Sequence, residues 1–112
     1  MKDSIKILIA EHDPVDRELI QHELKEGHIK YNAAFAKNEE DYTNALTVFQ
    51  PDIILCDYNF PSFNGAAAFK IKDSLSPATP FIIVSGTIGE ERAVELIKAG
   101  VTDYVLKDRL LS

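Results

Sequence analysis

At 112 residues, 46% of them hydrophobic and 27% charged, the chain suffices for one domain with its own core and is too short for two. Its formal net charge of −6 excludes direct nucleic-acid binding, which needs a clustered basic footprint against the phosphate backbone. A lone Cys56 excludes an internal disulfide and predicts a buried thiol in a reducing compartment, while short apolar runs and a non-signal start at Met1-Lys2-Asp3 predict a cytoplasmic domain without membrane contact.

Ile5-Lys6-Ile7-Leu8-Ile9-Ala10 is a short β-branched run and reads as the first strand. Asp13-Pro14 supplies an N-cap and a first-position proline for a helix carrying Val15, Leu19, Ile20 and Leu24, which Gly27 stops. Residues 29–35 alternate imperfectly and read as a second strand. Asn38, with Asp41 three residues on, caps a helix bearing Tyr42, Ala45, Leu46 and Phe49, and Pro51 ends it. Ile53-Ile54-Leu55-Cys56 is expected to be a central strand buried on both faces. Asn64-Gly65 opens a helix through Ala68, Phe69, Ile71 and Lys72 that closes near Ser76-Pro77. Phe81-Ile82-Ile83-Val84 is the fourth strand. Thr87 and Glu90 have capping-box spacing before Ala93, Val94, Leu96 and Ile97, with Gly100 as the stop, and Tyr104-Val105-Leu106 is the fifth strand. No linker divides residues 1–112, so one domain is expected.

Strands alternating with helices imply right-handed βαβ units and an α/β fold with a doubly wound parallel sheet. In such sheets ligands bind beyond the carboxyl ends of the strands, where strand order reverses. Those ends carry Glu11-His12-Asp13, Asp57, Ser85-Gly86 and Lys107. Taken singly, each reads as a turn, cap or solvated residue. The fold brings them to one rim, and an acidic cluster, a hydroxyl and an ammonium on one rim suit phosphoryl transfer to a carboxylate. Asp57 is then the nucleophile that forms an acyl phosphate. Lys107 and a hard divalent cation neutralise the equatorial oxygens, Ser85 donates to one of them, and Gly86 leaves room for the group.

The segments Ile7 to Pro14, Pro51 to Pro61 with Asn64-Gly65, Pro80 to Gly86 and Ala99 to Lys107, in this order and spacing, resemble the receiver domains of response regulators and hybrid histidine kinases. The resemblance covers the whole chain. It implies a flavodoxin-like five-stranded sheet of order 2-1-3-4-5, with Asp57 as phosphoacceptor, Ser85 as switch hydroxyl and Lys107 as the phosphate-contacting lysine. It further implies that Tyr104 turns inward when Ser85 moves. Magnesium would be held by Glu11, Asp57, the Asn59 carbonyl and whatever stands at position 12. The implied partners are a histidine kinase or phosphotransfer domain as donor and a downstream output domain or protein as reader.

Two departures stand out. His12 occupies the place of a second carboxylate, and imidazole suits manganese or zinc better than magnesium. Asp108 replaces the usual proline after Lys107, which removes the cis peptide common there. Asp108 to Ser112 is expected to open a fifth helix that the chain truncates, and the Lys107-Asp108-Arg109-Leu110 run resembles receivers joined to hybrid sensor kinases. The alternative is a pseudo-receiver, the same fold acting as a phosphorylation-independent protein-binding module. Flavin-phosphate binding is disfavoured by the anionic Glu11-His12-Asp13 loop, and hydrolase chemistry by the missing first glycine of a nucleophile elbow at Val84-Ser85-Gly86.

Overall fold

The computed structural model describes residues 4–61, 63–86 and 90–107, with the Glu90 side chain left aside. Its elements are β1 (Ile5–Ala10), α1 (Pro14–Glu26), β2 (Tyr31–Ala36), α2 (Glu39–Val48) and β3 (Ile53–Cys56). The short β4 (Asn59–Phe60) and β5 (Phe63–Asn64) follow, then α3 (Gly65–Leu75), β6 (Phe81–Ser85), α4 (Glu90–Ala99) and β7 (Asp103–Leu106). Helix starts follow the side-chain chemistry of the sequence. Asp13 accepts from the Val15 amide at 2.9 Å, Asn38 from that of Asp41 at 2.8 Å, and Asn64 from that of Ala67 at 2.8 Å.

Helix ends are more instructive. Gly27 caps α1, but His28 takes the left-handed conformation at φ 57°. The amide of His28 bonds back to Lys25 and that of Ile29 to Leu24, a Schellman pair that delays β2 to Tyr31. Gly100 ends α4 as expected, at φ +117°, with a side chain there meeting the Phe69 ring at 3.2 Å. The anticipated Thr87–Glu90 capping box and the opening turn after Lys107 lie outside the described residues. The antiparallel β4–β5 pair, Asn59 against Asn64 and Phe60 against Phe63, was not anticipated, because two-residue strands leave no periodicity to read.

The five longer strands form one sheet in the order β2-β1-β3-β6-β7, and every pairing is parallel. This is the expected 2-1-3-4-5 order once the small hairpin is set apart. One face buries Leu8, Ala10, Ile54, Cys56, Phe81 and Ile83 against side chains of α2, α3 and α4. The other buries Ile7, Ile9 and Val84 with Ile20 of α1. Among the described residues that second face is thinly covered. Ile53 and Leu55 of β3 remain half-buried, so β3 is fully buried only on the face of Ile54 and Cys56, and not on both faces as expected. An apolar hollow lined by Ile20, Leu24, Leu55, Ile82, Val84 and Val105 marks the gap.

The order of strands reverses between β1 and β3. The chain leaves β1 for β2 on one side and returns to β3 on the other, so the crevice above these two strands is the natural ligand position. At this point the Asp57 amide donates to Ala10 (2.9 Å) and the Glu11 amide to Ala36 (3.0 Å). Ladder bonds therefore extend one residue past each strand and fix both carboxylates side by side. Close approach of α3 fixes the far wall. A side chain on Gly65 would stand 2.9 Å from Ile83 Cδ1 and 3.1 Å from Tyr58 Cα.

Candidate functional site

Three strand ends converge on the Asp57 carboxylate. Ser85 Oγ donates to Oδ1 at 3.1 Å, and the Lys107 ammonium lies 3.4 Å from Oδ2. Asp57 is 6% exposed and Ser85 1%, so both oxygens are approached in a site nearly closed to water. The same ammonium lies 2.7 Å from Glu11 Oε1 and 2.7 Å from Asp16 Oδ2.

Glu11 is fully buried. Its Oε2 accepts the Asp13 amide at 3.2 Å, while Oε1 has no neutral donor among the described residues and faces only the Lys107 ammonium. Burial raises the Glu11 carboxyl above its ordinary value. The Lys107 hydrogen bond opposes that rise, and the Asp57 charge adds to it. Burial acts to lower the Lys107 ammonium, but hydrogen bonds to Asp16 and Glu11 and the charges of Glu11 and Asp57 outweigh it, so its value is raised. The lysine is a fixed positive charge at any ordinary pH.

His12 flanks this pair. Its Nδ1 lies 3.6 Å from Glu11 Oε2, and its ring lies 5.8 Å from that of Phe60. Glu11, His12 and Asp57 each offer a ligand atom, all within 4.8 Å of one another. Two carboxylates and one imidazole form a donor set for a divalent cation that accepts nitrogen as well as oxygen. Glu11 Oε1, buried and met only by the Lys107 ammonium among the described residues, is an acceptor with a lone pair to spare. Asn59 lies two residues past Asp57 at the start of β4 and is exposed.

Tyr104 is half-buried, in register with Ile83 across the β6–β7 pair, and its hydroxyl donates to the Gly86 carbonyl at 2.9 Å. A side chain on Gly86 would meet nothing within 4 Å, so packing at that position does not itself require glycine. The structure thus brings Glu11, His12, Asp57, Ser85 and Lys107 together and places Tyr104 and Asn59 at the margin.

Two participants escaped the sequence reading. Asp16 reaches Lys107 from the first turn of α1, and the only hint was an acidic residue one turn into the helix that leaves the rim. Arg92 of α4 hydrogen-bonds the Tyr58 hydroxyl with its guanidinium 5.5 Å from the Tyr58 ring centroid. That contact ties α4 to the residue beside Asp57, and nothing in the spacing of 58 and 92 announces it.

Comparison with known proteins agrees with this fold. The family model described as the response regulator receiver domain matches residues 7–110. The transcriptional regulatory protein ZraR of Escherichia coli K12 is 30% identical over 105 residues, covering 94% of this chain and 23% of that protein. ZraR of Salmonella typhimurium is 35% identical over 77 residues, covering 69% of this chain and 18% of its own length. The chain therefore spans a minor part of the regulators it matches. Among solved structures, the receiver domain of Francisella response regulator 1452 superposes with a TM-score of 0.76 at 26% identity, covering 96% of this chain and 90% of that one. A receiver protein from Pseudomonas putida gives 0.80 at 24% identity, covering 96% and 89%. A parallel sheet of this order, with its acidic rim and lysine, in a chain matched almost end to end, belongs to the response regulator receiver domain family of two-component signalling.

Proposed function

We propose that the domain accepts a phosphoryl group on Asp57 from the phosphohistidine of a histidine kinase or phosphotransfer domain. The observation that carries this reading is the approach of Ser85 to one Asp57 oxygen and of Lys107 to the other. In the transfer, the phosphorus–nitrogen bond of the donor breaks as a carboxylate oxygen of Asp57 bonds to phosphorus. Ser85 and Lys107 are placed to meet the phosphoryl oxygens with a hydroxyl and a charge-assisted donor. Glu11, His12 and Asp57 are the residues that would hold a divalent cation, which supplies positive charge against the phosphoryl oxygens when bound. The imidazole makes manganese a better match than magnesium. A downstream output domain or protein would then read the altered rim. A phosphohistidine donor of this kind places the proposed action in the cytoplasm.

Incubation with a small phosphodonor, with and without magnesium or manganese, tests the proposal. Wild-type protein should gain a hydroxylamine-sensitive acyl phosphate, and Asp57→Asn should gain none while remaining folded. Equal incorporation in the variant would remove Asp57 from its role. One observation favours a second reading: His12 stands beside Glu11 where a second carboxylate is usual. If neither metal supports incorporation, the domain is a constitutive binding module.

A further inference from the structure

Asp16 lies outside the group that can share a cation, yet it makes one of the two shortest contacts of Lys107. The ammonium is 2.7 Å from Asp16, 2.7 Å from Glu11 and 3.4 Å from Asp57. Its three donors meet three carboxylates, and the two shorter contacts draw it towards Asp16 and Glu11 and away from Asp57. Asp16 is the third residue of α1, whose start is fixed by the Asp13 cap and Pro14, and its carboxylate is therefore delivered to the rim by a rigid turn. Asp16 is 28% exposed, so water softens the pair without dissolving it.

We infer that Asp16 is a positioning residue that holds Lys107 in a resting place drawn off Asp57, so that a phosphoryl group on Asp57 must win the ammonium from Asp16. The inference rests on the phosphoacceptor reading of Asp57. Two effects share one sign. The Asp16 carboxylate competes for the ammonium donors, and its charge adds to the negative field that an arriving phosphoryl dianion meets. Glu11 also holds Lys107, but Glu11 can turn its oxygens to a cation. Asp16 is the carboxylate on this lysine whose grip a cation in the Glu11–His12–Asp57 group does not relax. Its removal should favour the phosphorylated form by roughly two- to five-fold, the scale of a partly exposed ion pair.

Beryllofluoride, a phosphoryl mimic, is titrated with saturating manganese into wild type, Asp16→Asn and Asp16→Glu. The Lys107 side-chain ammonium resonance is followed by NMR before and after. Asp16→Asn should bind roughly two- to five-fold more tightly, with its Lys107 resonance already displaced before addition, and Asp16→Glu should restore wild-type behaviour on both counts. A merely structural residue would alter the melting temperature without selectively moving that resonance. Unchanged or weaker binding in Asp16→Asn, with normal binding in wild type, overturns the inference and leaves the phosphoacceptor reading intact. A Lys107 resonance indifferent to Asp16→Asn overturns it without any ligand. Binding by none of the three proteins overturns both readings.

Discussion

His12 is the residue at which the rim departs from the donor set magnesium prefers. Its nearer nitrogen, 3.6 Å from Glu11 Oε2, stands where a further oxygen would strengthen a hard-cation site. Magnesium demands oxygen ligands in near-octahedral geometry, whereas imidazole is at home with manganese. His12→Asp is therefore expected to tighten magnesium by an order of magnitude or so, the scale on which changes around a metal site act, and to narrow the preference for manganese. Calorimetric titration with both ions measures this. Magnesium affinity unchanged or lowered in His12→Asp would mean that position 12 does not face the cation. The substitution carries a cost, since a third carboxylate beside the buried Glu11 and Asp57 adds repulsion in the metal-free protein.

The elements that connect the site to the surface are β6 and β7. Ser85 ends β6 already within hydrogen-bond reach of Asp57, so the inward movement expected of its hydroxyl is short. Tyr104 is held in its present place, because its hydroxyl donates to the Gly86 carbonyl. Releasing that neutral bond costs about 1 kcal/mol net, whereas a charge-assisted bond to a phosphoryl oxygen contributes roughly 1.5–3 kcal/mol. Ser85 already bonds the Asp57 carboxylate, so the phosphoryl bond must outweigh that contact and the Gly86 bond together for the Tyr104 ring to follow Ser85. Ser85→Ala should still permit modification of Asp57 while shrinking the response of β6 and β7. Amide spectra with and without beryllofluoride test this, and shifts between residues 85 and 107 as large in Ser85→Ala as in wild type would rule the coupling out. Elements of four or more residues were legible because caps and periodicity mark them locally: Asp13, Asn38 and Asn64 each perform the capping that their positions announced. The β4–β5 hairpin and the Asp16 and Arg92 contacts were not legible. The hairpin is too short to show a period, and the two contacts depend on how distant elements meet, as in the 91-residue separation of Asp16 and Lys107.

For the molecule as a whole, the rim is a site of conflict at the end of a sheet whose one face is well packed. Tyr42, fully buried, shows how the scaffold handles polarity, since its hydroxyl donates to the Ala68 carbonyl at 2.7 Å. The rim instead confines carboxylates whose mutual repulsion is offset chiefly by Lys107, with the Asp13 amide on Glu11 and the Ser85 hydroxyl on Asp57. Burial raises the Glu11 carboxyl above 4.5, so the folded protein takes up that proton more readily than the unfolded chain. The stability this group contributes is fully present below its unfolded value and is lost as pH rises through the raised one. Glu11→Gln should consequently gain stability relative to wild type as pH is raised from 4.5 towards neutrality. Denaturant melts at the two ends of that range provide the comparison. A stability difference that does not change with pH would show that Glu11 carries no such penalty. Manganese should raise the wild-type melting temperature at neutral pH more than that of Glu11→Gln, since a ligand that binds only the native form stabilises it.

The sheet order assigns unequal stiffness to the charges of this rim. Glu11, Asp57 and Ser85 continue or end strands paired on both sides, whereas Lys107 follows β7, which has a sheet neighbour on one side only. A central strand resists displacement because moving it breaks two ladders, and an edge strand gives up only one. The anionic side of the site therefore behaves as a fixed anvil and the cationic side as its spring. A change of charge at Asp57 should therefore be expressed as travel of the lysine and its strand, at the border of the sheet where another protein could feel it.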